Sequence, residues 1–279
     1  MNNKRYVIIP TDFSSTAHKA FDYAVHLKGG ENHTFLVLNS YYAQKSGGNA
    51  VFVNLDEMLA MDSKRELAKE EKTLRENYPD VNIETLSVHG MLDEVINNLD
   101  LDGEVECIVM GTTGAGGLKK ALIGSNAQKI IYESDYPVFT VPRAYDFKPI
   151  KNIVYAADLE TIPSVQLFDP VVALAKKFDA HIKVLHVDHS KDSKKNLERE
   201  ENRLRLKERL EGVDCSFHTM KRYEVAEAID DFVFDNETDL LTLVPKKMTF
   251  LRSLFRTAIT KKIVCHAKVP LLALKTKAE

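Results

Sequence analysis

Tyr6-Val-Ile-Ile-Pro-Thr-Asp12-Phe13 and Ile153-Val-Tyr-Ala-Ala-Asp158-Leu159 are one pattern written twice: a β-branched apolar run that stops at an aspartate. Working outward, Phe35-Leu-Val-Leu-Asn-Ser40 is answered by Ile182-Lys-Val-Leu-His-Val187, and Tyr136-Pro-Val-Phe-Thr-Val141 by Val269-Pro-Leu-Leu-Ala-Leu274. The offset shrinks along the chain because the first copy carries extra residues around Ala43–Asn54. Self-similarity on this scale means two copies of one domain. The copies are placed at residues 1–143 and 150–279, with the Pro-bounded stretch Arg143-Ala-Tyr-Asp-Phe-Lys148 as a linker.

Each half is long enough to bury its own core: the chain has 279 residues, 44% apolar and 28% charged. The net charge of −3 argues against a protein built to hold nucleic acid, which would be strongly basic. The balance is uneven, with 14 Lys/Arg against 20 Asp/Glu in residues 1–143 and 24 against 21 in the remainder. No apolar run approaches the ~20 residues of a spanning helix, and Asn2-Asn3-Lys4-Arg5 leads straight into a strand. No membrane partner is expected, and the chain reads as cytoplasmic. Cys107, Cys215 and Cys265 lack metal-ligand spacing, and Cys107 and Cys265 read as buried core.

Within the first copy, short apolar runs at Tyr6–Pro10, Phe35–Ser40, Asn82–Val88, Cys107–Met110 and Val138–Val141 alternate with helical patterns at Ser14–Lys28, Asp56–Asn77, Met91–Leu99 and Ser125–Ser134. Such alternation specifies an α/β fold, a parallel sheet covered on both faces with right-handed crossovers. Ser14 or Ser15 is the expected N-cap of the first helix, and Gly29-Gly30 its stop. The second copy repeats the order, with a highly charged helix at Lys194–Glu211 that reads as a solvated face.

Ligands of open parallel sheets bind beyond the carboxyl ends of the strands. After the fourth strand comes Gly111-Thr-Thr-Gly114-Ala-Gly116-Gly117-Leu-Lys119-Lys120-Ala-Leu-Ile-Gly124-Ser125-Asn126, which carries five of the chain's 12 glycines and opens a helix. Glycine permits positive φ and close backbone approach to a phosphate, and a helix N-terminus offers free N–H groups and a positive dipole end. Ser125 is expected to cap that helix or donate to a phosphate oxygen. The loop is neither a Walker A motif, since Leu118 and Lys119 follow Gly117, nor a dinucleotide fingerprint, since Pro10-Thr11-Asp12 follows the first strand.

The spacing Gly111-x2-Gly114-x9-Gly124-Ser125 resembles the nucleotide motif of the universal stress protein family. Ile9-Pro10-Thr11-Asp12-Phe13-Ser14 resembles that family's first-strand signature, and Pro137-Val138 its closing strand. The resemblance covers essentially the whole chain as two tandem copies. It implies flavodoxin-like (Rossmann-like) α/β/α domains with five parallel strands each. It also implies ATP, with room for Mg2+, at the first and fourth strand ends, and dimerisation through the fifth strand. By the same resemblance Asp12 meets the adenosine, Pro10 and Thr11 line the wall, and the backbone of Ser40 meets the adenine. Gly111, Thr112, Gly114, Gly124, Ser125 and Asn126 surround the phosphates. Asn39-Ser40 departs from the family's usual His-Val, which puts apolar packing on the base in doubt. The two copies are expected to pair within the chain through Val138–Val141 and Val269–Leu274, since apolar edge strands seek partners; a further homodimer is left open.

The second copy keeps Asp158 but replaces the glycine loop with Val244-Pro245-Lys246-Lys247-Met248-Thr249-Phe250 and has no glycine from there to Glu279. Proline supplies no N–H, so one ATP per chain, in the first copy, is the expectation. Lys246, Lys247 and Arg256 leave an anion site conceivable. No H-E-x-x-H or G-x-S-x-G occurs, and no catalytic set assembles. The reading is a nucleotide-binding regulatory module. Its alternatives are a slow ATPase or phosphotransferase using the same loop, and a scaffold that binds no nucleotide.

Overall fold

The computed structural model describes residues 4–29, 32–43, 49–112, 123–162, 164–188, 196–245 and 269–275, and the chain divides into two compact units. The first runs β1 (Lys4–Pro10), α1 (Ser15–Lys28), β2 (Thr34–Tyr41), α2 (Asn49–Asn77), β3 (Asn82–His89), α3 (Leu92–Asn97), β4 (Gly103–Gly111), α4 (Ser125–Glu133) and β5 (Val138–Val141). Its strands lie in the order β3-β2-β1-β4-β5 and every neighbouring pair is parallel. β1, β2 and β5 are apolar and buried on both faces, as a sheet with helices on each side requires. On one face α1 meets the end of α2, where Tyr78, just after the helix, donates from Oη to Asp22 Oδ1 at 2.7 Å; on the other α3 meets α4, where Lys129 pairs with Asp93 at 2.8 Å. Ser14 caps α1, its Oγ accepting from Ala17 N–H at 3.2 Å, and Gly29 ends it at φ 77°.

The second unit repeats the plan with β6 (Asn152–Ala156), α5 (Asp169–Phe178), β7 (His181–Asp188), α6 (Asn196–Arg209), β8 (Cys215–Lys221), α7 (Val225–Asp235), β9 (Leu240–Leu243) and β10 (Leu271–Ala273). Its strand order, β10-β9-β6-β7-β8, is the first unit's order read from the other edge, and again every pair is parallel. Two five-stranded parallel α/β sheets in tandem are thus present, as expected. No helix of the described residues is long and apolar enough to cross a membrane.

Three local readings change. α2 begins at Asn49, seven residues before the expected start, so part of the extra sequence of the first copy extends this helix. The stretch read as a linker is docked: Phe147 stacks on His26 at 4.8 Å, Tyr145 packs edge-on to Tyr23 at 5.9 Å, and Lys19 Nζ reaches Asp146 at 2.6 Å. The charged helix α6 is not wholly a solvated face, because Arg199 and Leu206 turn inward. Cys107 is buried as expected, which pushes its thiol up to about 11; Cys265 lies outside the described residues.

At the amino-terminal end of the first sheet, Glu106 of β4 meets Lys28 and lies 2.8 Å from His33 Nε2. The hydrogen bond from His33, reinforced by the Lys28 charge, outweighs burial and holds the Glu106 carboxyl down at about 2. A depressed carboxylate stabilises the fold above its unfolded pKa of about 4.3 and loses that contribution as pH falls towards 2. Glu106→Gln is therefore expected to cost about 2 kcal/mol at pH 7, allowing for partial exposure. In urea denaturation the gap from wild type should close between pH 4.5 and 2; a pH-independent gap would contradict this origin.

Candidate functional site

β1 and β4 lie side by side while their following connections leave to opposite faces, so a crevice opens beyond their carboxyl ends. Pro10 and Thr11 leave β1 buried, whereas Asp12 is exposed. Asp12 Oδ1 accepts from Ser14 N–H at 3.2 Å, and Thr11 Oγ1 accepts from Phe13 N–H at 3.0 Å. This turn places Phe13 at φ 62°. A bulky residue in left-handed conformation costs on the order of 1–3 kcal/mol and persists only where its surroundings enforce it. In the second unit Leu159, the repeat partner of Phe13, has no such conformation.

The enforcing groups are ones that sequence reading missed. Asn39 Nδ2 donates to Thr11 C=O at 2.7 Å, and Thr11 N–H donates to Leu38 C=O at 2.8 Å. Thr11 Oγ1 also donates to Glu70 of α2, with oxygens at 3.1 and 3.3 Å, and His18 Nε2 lies 3.3 Å from the same carboxylate. The Glu70 side chain is only 5% exposed, and its hydrogen bond holds the His18 pKa up. The Thr11 side chain thus turns inward to fasten the loop and does not line a wall. The available signal was the repeat: His186 stands at the position of Asn39, and its Nδ1 lies 3.3 Å from Ala157 C=O, the counterpart of Thr11.

Ser40 is half-buried in β2, beside Val88 of β3. Strand backbone groups alternate sides, and Leu38 C=O faces β1. The N–H and C=O of Ser40 therefore face the same side, where β1 has already ended. A polar main-chain edge looks into the crevice.

The two described ends of the glycine motif meet. Gly124 N–H donates to Thr112 C=O at 2.6 Å, and Thr112 N–H donates to Val141 C=O at 3.0 Å. Gly124, not Ser125, is the N-cap of α4; Ser125 is its first residue, and Ser125 and Asn126 are exposed. Among the described residues the cap makes no side-chain hydrogen bond and the first turn holds no acidic residue, a helix end that suits an anion. Gly114, Lys119 and Lys120 lie outside the described residues.

The expected use of glycine needs correcting at two positions. Gly124 has φ −64° and ψ 156°, open to any residue, so only space can require glycine there. At Gly111 a Cβ would stand 2.6 Å from Thr16 Cγ2 and 3.1 Å from Thr16 O. Packing of α1 on β4 accounts for this glycine without any phosphate.

The corresponding place in the second unit is arranged otherwise. Asp158 Oδ2 accepts from Thr161 Oγ1 at 2.8 Å and its Oδ1 from Glu160 N–H at 3.1 Å, closing a local turn. Arg199 of α6 reaches both oxygens of Asp188, at 3.0 and 3.1 Å, and also Glu160. The three side chains are 11, 15 and 8% exposed. One guanidinium thus bridges the end of β7 and the loop after β6, the elements whose first-unit counterparts flank the crevice. Lys246, Lys247 and Arg256 lie outside the described residues.

Compared with known proteins, the model of the universal stress protein family matches residues 4–142 and again 149–275. A universal stress protein of Methanocaldococcus jannaschii is 27% identical over 152 residues, which is 49% of this chain and 94% of the relative. Among solved structures, a universal stress protein from Archaeoglobus fulgidus aligns over 99% of this chain and 97% of its own, with a TM-score of 0.63 and 17% identity. The cytoplasmic domain of a prokaryotic cation chloride cotransporter aligns over 99% and 95%, with a TM-score of 0.52 and 9% identity. A fold shared this widely does not name a function.

Proposed function

Given that the chain belongs to the universal stress protein family, matched in both halves, we propose that it binds an adenine nucleotide, ATP, in the crevice of its first unit and acts as a nucleotide-dependent regulatory module. The observation that carries this reading is the 2.6 Å bond from Gly124 to Thr112, which sets the open N-terminus of α4 against the end of β4. The triphosphate lies over the first turn of α4, at Ser125 and Asn126. The adenine meets the main-chain edge of Ser40. The Asp12 carboxylate accepts from the ribose hydroxyls. Mg2+ would arrive with the nucleotide, held by its phosphates.

The use of the polar groups beside the crevice supports binding rather than rapid turnover. Thr11, Asn39, Glu70 and His18 are committed to one another, holding a strained loop in place. Asn39→Ala is expected to loosen the Thr11–Asp12 turn and weaken ATP about tenfold, about 1.4 kcal/mol. Calorimetry of wild type and variant tests this; equal affinity would detach the loop from the site.

A further inference from the structure

The amino-terminal end of the second sheet carries polar groups that nucleotide binding does not use. Asp214, just before β8, and Ser216 and His218 within it alternate along the chain and so share one face. Ile182 N–H donates to Asp214 C=O at 2.9 Å, which sets Ile182 opposite Cys215 and Lys183 opposite Ser216. His181, the first residue of β7, is thereby laid between Asp214 and Ser216. Its Nδ1 lies 2.8 Å from Asp214 Oδ2 and its Nε2 lies 2.8 Å from Ser216 Oγ. The same hydroxyl oxygen lies 2.8 Å from His218 Nε2. Two imidazole nitrogens from adjacent strands thus meet one hydroxyl oxygen.

A carboxylate only accepts, so His181 Nδ1 carries the hydrogen between it and Asp214. A carboxylate behind the far nitrogen is the arrangement that orients a metal-binding histidine and raises its basicity. His218 is backed by the Phe232 ring at 5.0 Å.

We propose that His181 and His218 bind a divalent transition-metal ion of the zinc type through their Nε2 atoms, with water and the Ser216 hydroxyl completing the sphere and Asp214 orienting His181 from outside it. Imidazoles select zinc, nickel and copper over magnesium and calcium. Two protein ligands are fewer than the four of a structural zinc site. Lys183, on the same face and bound to Asn236 C=O at 3.1 Å, opposes a cation. The site is therefore weak and exchangeable.

Titration of the intact chain with zinc chloride, alongside His181→Ala, His218→Gln and Asp214→Asn, tests this. Glutamine at 218 keeps a donor for Ser216 but removes the imidazole. One zinc per chain is expected to disappear in both histidine variants and to bind about tenfold more weakly in Asp214→Asn. Magnesium chloride should give no binding. The chain's other histidines do not confuse the result, because the readout is one ion fewer per chain. Zinc should also raise the melting temperature of wild type more than that of His218→Gln, which decides the matter if His181→Ala folds poorly. Unchanged zinc stoichiometry and affinity in His218→Gln would overturn the site.

Discussion

Replacing Gly124 with valine is expected to weaken ATP at least about 100-fold, about 2.7 kcal/mol, while the chain stays folded. The backbone at this position is ordinary, φ −64° and ψ 156°, so valine introduces no strain. Its Gln128 N–H to Gly124 C=O bond of 3.0 Å survives, since it uses main chain only. Valine is a poor N-cap and costs about 1 kcal/mol, against a total stability of about 5–15 kcal/mol. The added bulk, however, is expected to crowd the first turn of α4, where the main-chain N–H groups approach the phosphates. Loss of binding with an intact melting transition is the expected pair of results. Unchanged affinity by calorimetry would remove the phosphate role from this helix. Gly114→Val should act likewise, on the strength of the motif alone.

Replacing Arg199 with leucine is expected to destabilise the second unit by about 3 kcal/mol or more at pH 7. Leucine is the natural comparison, because Leu67 holds the equivalent place in the first repeat. The Val81–Tyr78 and Val213–Leu210 turns, bonded at 3.2 and 3.0 Å, fix that correspondence. Glu160 and Asp188, 8 and 15% exposed, would lose their common guanidinium and face each other. ATP affinity at the first unit should not change. A loss below about 1 kcal/mol would show that the triad behaves as a surface ion pair.

The fold was legible because buried parallel strands are written as apolar runs, and β5 was read at its observed ends, Val138 and Val141. The onset of α2 was not, since the β-branched residues of Val51-Phe-Val53 carry no helical signature and look like an insertion. Motif spacing identified Gly111 and Gly124, but not why Gly111 is glycine; Thr16, almost a hundred residues earlier in the chain, supplies that reason through α1 packing. Glu70 and Arg199 were hidden in charged helical stretches, where only tertiary contact distinguishes an inward carboxylate or guanidinium from a solvated one. His181 and His218 looked scattered, and strand register alone brings them to one hydroxyl.

Calorimetric titration of the intact chain with ATP tests the account most directly. One nucleotide per chain, lost in Gly124→Val and kept in Arg199→Leu, is the expected result. Two nucleotides per chain, or one that persists in Gly124→Val, would contradict the assignment of the site to the first unit.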